Sequence, residues 1–223
     1  MNENKEKIAF FDFCDTLVPF QSADAYVKFV LKHHKSFPML MRRVFFVLLR
    51  NIHLLNWYIQ KRHTSHKALV LWQLKGLSES VMRDMAKKFY DTRIKPTLIS
   101  ETYNCLKKRQ SDGYRIVLVS GGYDIYLHLF AADNGINACD VFSTELFFEN
   151  GVFSGKYVSD CMNELKVVRV EKKFDQKKIY SVAYSDSLSD LPLLTWCDEA
   201  FLVQYATSNR SIKKTNMLKL LYV

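Results

Sequence analysis

Apolar residues recur along this chain with two different periods, and the change of period divides it. Lys7–Phe13 is an apolar run of strand length, closed by Pro19. From Ser22 to about Asp91 the spacing is helical and no strand stands out. Ala23–Leu31 is apolar at helical spacing, Met39–Ile59 is strongly apolar, and Ser65–Leu74 and Ser78–Tyr90 are amphipathic. Ser65 and Ser78 read as N-caps and Gly76 as a helix stop. After Pro96 helix and strand alternate. Thr97–Gln110 predicts a helix, Asp112-Gly113 a turn, Tyr114–Val119 a buried strand and Tyr123–Asn134 another helix. Val141-Phe142 predicts a short strand. Glu145–Phe148 and Val152–Phe153 predict a hairpin about Asn150-Gly151, a pair suited to a type I′ turn. Glu164–Phe174 reads as helix, Ile179–Tyr184 as strand, Ser187–Trp196 as helix and Ala200–Val203 as a last strand, followed by a basic helix over Ser208–Leu221.

Strands alternating with helices predict an α/β fold with a parallel sheet covered on both faces. The helical block falls just after the first strand. The expected division is therefore a core of residues 1–19 and 95–223 and an inserted helical cap of residues 20–94, placed to act as a lid. A length of 223 residues suits one core domain with a smaller insertion, and 48% hydrophobic residues supply a full core. Five scattered cysteines with no CxxC pair argue against a zinc site or a disulfide framework. With a polar Met1–Lys7 that has no signal-peptide apolar core, they predict reduced thiols and a cytoplasmic protein. The net charge of +9 favours anionic partners such as phosphorylated substrates or anionic lipid. No nucleic-acid motif accompanies it and the basic residues are spread along the chain, so nucleic acid is not the expected partner.

The candidate chemistry lies at the ends of the predicted strands. The first strand runs into Asp12-Phe13-Cys14-Asp15-Thr16-Leu17, placing one carboxylate at its carboxyl end, where open α/β sheets bind ligands. Ser120-Gly121-Gly122 follows the second strand, Lys166 sits on a predicted helix, and Asp186 and Asp190 lie in Ser185-Asp186-Ser187-Leu188-Ser189-Asp190 after a third strand. In this order and spacing the four pieces resemble the haloacid dehalogenase superfamily, in particular its phosphoserine-phosphatase-like branch with a helical cap after the first strand. The resemblance covers essentially the whole chain. It implies a Rossmann-like parallel sheet with helices on both faces plus an inserted all-helical cap.

The resemblance also implies a Mg²⁺-dependent phosphatase with Asp12 as nucleophile, passing through an aspartyl-phosphate. Mg²⁺ would be held by Asp12, the Cys14 carbonyl and Asp186, with Asp190 supporting, since Mg²⁺ takes hard oxygen ligands. Ser120, Gly121 and Gly122 would cradle the phosphate beside a helix N-terminus, and Lys166 would clamp the transferring group. Lys156, just past the hairpin, is the competing lysine and reads more simply as a surface residue.

Cys14 departs from the family pattern, which has a second Asp there. The backbone carbonyl is kept, but the carboxyl that protonates the leaving oxygen is lost. That group is worth roughly 10²–10⁴-fold. Asp15, at a place normally held by Gly, is the alternative acid. Gln21 stands where phosphoserine phosphatases have Glu, and Ser189 where they have Asn on the substrate side; both turn the expectation away from phosphoserine. The expected substrate is a small phosphomonoester: a sugar, glycerol or lipid-head phosphate. The alternative is a catalytically weak relative that binds a phosphorylated ligand or a membrane surface. Phe37–Ile59, with Arg42, Arg43, Arg50 and His53 in one sector, fits either a cap core or a basic helix lying in a membrane interface. The C-terminal Arg210, Lys213, Lys214 and Lys219 would assist such contact or solvate a helix face.

Overall fold

The computed structural model describes residues 5–51, 54–61, 65–204 and 218–223. Seven strands form one sheet, in chain order β1 (Glu6–Phe11), β2 (Arg115–Tyr123), β3 (Val141–Glu149), β4 (Val152–Ser159), β5 (Ile179–Ser185), β6 (Glu199–Gln204) and β7 (Leu218–Tyr222). The spatial order is β4-β3-β2-β1-β5-β6-β7, and every pair is parallel except the antiparallel β3–β4 edge. The fold is the expected α/β sheet.

Side chains in a strand alternate between faces, and the core divides accordingly. Ala9 and Phe11 of β1, Ile116 and Leu118 of β2, and Val182 and Tyr184 of β5 join one buried cluster. Ile8, Phe10, Val117, Val119 and Ala183 join the other, with Val170, Leu193 and Leu194 from α8 (Glu164–Lys173) and α9 (Leu191–Trp196). β1 is buried on both faces, as continuous apolar runs in parallel sheets require.

The helices between β1 and β2 are α1 (Ser22–His33), α2 (Phe37–Asn51), α3 (Leu55–Lys61), α4 (His66–Trp72), α5 (Glu79–Phe89) and α6 (Ser100–Ser111); α7 (Asp124–Asp133) follows β2. Ser65 and Ser78 cap α4 and α5 by accepting the Ala68 and Val81 N–H groups. The inserted helices share the first cluster with the sheet. Tyr26 of α1 lies 5.5 Å from both the Phe89 ring of α5 and the Tyr126 ring of α7, and its hydroxyl donates to the Met82 carbonyl. The link from α4 to α5 is tied to the hairpin, with Phe153 and Gly76, and Phe153 and Leu77, joined by backbone hydrogen bonds. α2 and α3 form an outer layer beyond α4.

Three expectations change in detail. The two short segments around Thr144 are one long strand, β3, and β4 runs on to Ser159. Their turn has Asn150 at φ 50° and Gly151 at φ 76°, the left-handed pair a type I′ turn needs. The helix over 187–196 starts with a 3-10 turn, Leu188–Asp190, because Pro192 suits only the first turn of α9. The end of the predicted C-terminal helix is instead strand β7, parallel to β6. Leu220 and Leu221 there turn to opposite faces of the sheet. Arg210, Lys213, Lys214 and His53 lie outside the described residues. Among the described residues no helix is long and apolar enough to cross a membrane.

Candidate active site

Strand order reverses about β1, so the carboxyl ends of β1, β2 and β5 open into one crevice, the usual ligand position of such sheets. A cleft of about 580 Å³ occupies it. Asp12 follows β1 directly, its N–H donating to the Tyr184 carbonyl at 2.9 Å. The chain then closes a tight loop in which the Phe13 carbonyl accepts from the N–H groups of Leu17 at 2.9 Å and Val18 at 3.1 Å. Thr102 Oγ1 fixes this loop by donating to the Thr16 carbonyl at 2.6 Å. Thr16 Oγ1 receives the Asp186 N–H at 3.0 Å and donates to Asp186 Oδ1 at 3.3 Å, binding the β1 and β5 ends together.

The centre of the site is a buried ion triad. Lys166 Nζ lies 2.9 Å from Asp12 Oδ1 and 2.5 Å from Asp190 Oδ2, and Ser185 Oγ donates to the same Asp190 oxygen at 2.6 Å. Burial pushes the Lys166 ammonium down, but Asp12 and Asp190 outweigh it and hold the group charged. Burial likewise pushes the Asp12 carboxyl up while Lys166 pulls against it. Asp186, beside them, is pushed up to about 7 by burial and then by the charges of Asp12 and Asp15. Lys156, the competing lysine, is exposed and lies away from the cleft.

Asp12, Cys14, Asp15, Ser120, Gly121, Lys166, Asp186, Ser189 and Asp190 all line this cleft. Gly122 does not. A Cβ there would meet Tyr126 Oη at 2.8 Å and Ser22 Oγ at 3.1 Å, so its glycine serves packing. Gly121 is likewise held small by Met162, whose Cγ would lie 2.7 Å from a Cβ. The expected helix N-terminus at this turn is displaced: β2 continues through Ser120–Tyr123 with its register to β3 broken, and α7 begins at Asp124.

Cys14 is 8% exposed. Its Sγ lies 3.0 Å from Ser22 Oγ and accepts the Ser22 N–H at 3.3 Å. Ser22 Oγ in turn lies 2.8 Å from Tyr126 Oη. Burial, and then the nearby Asp12 charge, push the thiol up to about 11, so it stays protonated at neutral pH. Asp15 has φ 53°, the left-handed region that favours Gly, which accounts for a small residue being usual there. Gln21 Nε2 donates to its Oδ2 at 2.6 Å.

The far wall comes from the inserted helices, and its polar residues were not anticipated from sequence. Lys67 of α4 reaches across to Asp160 Oδ1 and Thr144 Oγ1, both at 2.6 Å, and Thr144 Oγ1 lies 3.1 Å from the Gly121 carbonyl. Burial lowers the Lys67 pKa. Burial raises that of Asp160, but the Lys67 partner outweighs it and leaves the carboxyl below its usual range. Asp24 and His66 also line this side. Only the run Ser65-His66-Lys67 at a helix start hinted at polar chemistry there.

Among the described residues no group of three or more His, Cys, Asp and Glu side chains forms a closed metal cage. The donors nevertheless suit a hard divalent cation. Asp12 and Asp186 are carboxylates lining one cleft, and a cation would offset the burial and the like charges that lift Asp186.

Comparison with known proteins bears on the family and the fold. The family model for haloacid dehalogenase-like hydrolases matches residues 9–195. No curated protein matches the sequence. Among solved structures, a protein of unknown function from Bordetella pertussis Tohama I superposes with a TM-score of 0.71 at 22% identity, covering 89% of this chain and 90% of that one. A phosphoserine phosphohydrolase-like protein from Francisella tularensis gives 0.58 at 16% identity, covering 89% and 87%. A phosphoserine phosphatase in apo form gives 0.57 at 20% identity, covering 89% and 86%. At these identities the likeness is one of fold.

Proposed function

The chain belongs to the haloacid dehalogenase-like hydrolases, and on that footing we propose that it is a Mg²⁺-dependent phosphatase acting on a small phosphomonoester through Asp12. The observation that carries this reading is the Lys166 bridge between Asp12 and Asp190 at the mouth of the central strands. Fold likeness to phosphoserine phosphatases supports the same chemistry.

Asp12 would attack phosphorus, forming an Asp12–O–P bond as the P–O bond to the leaving group breaks; water then hydrolyses the acyl phosphate and regenerates the carboxylate. Lys166 and the Ser120–Gly121 segment hold the phosphoryl oxygens as charge redistributes. Asp12, Asp186 and the Cys14 carbonyl would hold Mg²⁺, which supplies charge neutralisation between a carboxylate and a phosphate dianion. The cleft wall from α4 and α1 presents Lys67, His66 and Asp24 to the leaving group, a polar lining suited to a small hydrophilic head.

The test is phosphate release across sugar, glycerol, acyl and lipid-head phosphates with Mg²⁺ or with EDTA. Turnover only with Mg²⁺ is expected. The half-saturating Mg²⁺ concentration should fall from pH 6 to 8 and then level, because a proton on Asp186, with its pKa near 7, competes with the cation. Turnover in EDTA, or a pH-independent Mg²⁺ requirement, contradicts this reading.

The engagement of Cys14 with Ser22 favours a second reading, a phosphate-binding protein with little turnover of poor leaving groups. Cys14→Asp separates the two. The Ser22 N–H and hydroxyl already point at this position and would hold a carboxylate. If the missing acid limits the enzyme, the variant gains about 10²-fold or more on alkyl phosphates and little on acyl phosphates. Equal rates for both proteins on alkyl phosphates would show that proton donation comes from elsewhere, with Asp15 the next carboxyl in the cleft.

A further inference from the structure

We propose that the outer face of α2 and α3 docks on an anionic lipid bilayer. This does not rest on the phosphatase reading.

α2 is apolar on two faces. Met39 and Leu49 are buried, and Arg42 turns inward to the Gln73 and Lys75 carbonyls, so this side is satisfied within the fold. On the opposite side Phe37, Leu40, Met41, Val44 and Leu48 recur at helical spacing and remain exposed, Phe37 at 75% and Leu48 at 55%. Trp57 of α3 adds 52% exposure, with Lys61 Nζ 4.7 Å above its ring. An apolar groove of about 330 Å³ opens beside the stripe, floored by Leu31, Phe37, Met39 and Leu40 and rimmed by Lys35 and Arg43. An exposed apolar stripe of this extent marks a contact surface.

Charge decides what it contacts. Between Asp24 and Glu79 the sequence has no acidic residue and ten Lys and Arg, while the rest of the chain has 22 Lys and Arg against 23 Asp and Glu. The whole net charge of +9 therefore belongs to the segment carrying the exposed stripe. A second copy docked face to face would oppose two cationic, acid-free surfaces. Nucleic acid would pair the cations and leave the aliphatic stripe in water. An anionic bilayer takes both parts: Phe37, Leu40, Val44, Leu48 and Trp57 enter the acyl boundary, and Lys35, Arg43, Arg50 and Lys61 meet the headgroups.

The experiment is co-sedimentation of the full chain with vesicles of phosphatidylglycerol and phosphatidylcholine, or of phosphatidylcholine alone, at low and high salt. At low salt, binding to the anionic vesicles should exceed that to neutral ones at least tenfold, and salt should weaken it. Leu40→Glu/Val44→Glu/Leu48→Glu and Arg43→Glu/Arg50→Glu should each lose at least tenfold, with unchanged near-UV dichroism. As a measurement on the unaltered face, brominated lipid should quench the fluorescence that Trp57→Phe removes. Failure to bind anionic vesicles, equal binding by the apolar variant, or unquenched Trp57 overturns the proposal. A concentration-dependent dimer lost in the same variant, without vesicle binding, would assign the face to a second copy and overturn it too.

Discussion

Asp12→Asn should reduce phosphate release by more than about 10³-fold while leaving the fold intact, because a carboxamide is not a nucleophile towards phosphorus and no other group replaces it. The structure makes this a clean substitution. The amide is nearly isosteric, its oxygen can still accept from Lys166, and Lys166 keeps its 2.5 Å partner in Asp190, which Ser185 also supports. Unfolding in urea should therefore shift little. Single-turnover assays with an acyl phosphate add a check, since a good leaving group removes any need for an acid and leaves only attack by Asp12. Residual turnover of Asp12→Asn above a tenth of the wild-type rate would remove the nucleophile assignment.

Lys166→Met should do the opposite in one respect, striking stability as well as turnover. The Lys166, Asp12 and Asp190 side chains are 6%, 7% and 2% exposed. Deleting the cation strands two carboxylates in a water-poor site. Breaking a buried pair from one side costs about 3–5 kcal/mol, so the urea midpoint at neutral pH should fall by a corresponding amount. The sign with pH follows from linkage. In the variant, the stranded carboxyls have folded-state pKa values raised above the unfolded range near 3.9. Stability is then recovered as pH falls through those raised values, and the deficit against wild type narrows towards about pH 4. Adding Asp190→Asn should restore part of the loss at pH 7. A variant as stable as wild type at neutral pH would mean that the triad is more hydrated than its burial implies.

The parts of this molecule legible in sequence are those set by short-range pattern. β1, β2 and β5 are apolar runs; Asp12 and Asp186 lie just past the ends of β1 and β5 and Ser120 in the last half of β2, so strand prediction also located the candidate site. Asn150-Gly151 announced its own turn. Lys67 and Asp160 were not legible, because 93 residues separate them and nothing local marks either as a partner of the other. β7 was missed because a parallel edge strand takes its hydrogen bonds from a distant neighbour, and Lys219 in Leu218-Lys219-Leu220 blends with the basic run before it. The outer face of α2 was legible only as one of two alternatives, a cap core or a membrane-interface helix. Its basic sector was plain in the sequence, but which of its apolar residues face inward is decided only by burial, which distinguishes Met39 from Leu40. The acid-free stretch was in plain view, but a total of +9 averaged over the chain concealed it.

The shared aromatic core of α1, α5 and α7 has a consequence for how the helical insertion can be handled. The Tyr26, Phe89 and Tyr126 rings pack edge-on or tilted, with centroids 5.5 Å apart, across the boundary between insertion and sheet. The insertion is therefore not a cassette. Grafting residues 20–94 onto a relative, or excising them, would cut through one continuous hydrophobic cluster and leave half of it in water. Heat should melt the insertion and the sheet in a single cooperative calorimetric transition, with only the α2–α3 layer free to fray beforehand. Swapping that outer layer between relatives should be tolerated where swapping the whole insertion is not, and it carries none of the described residues that line the cleft.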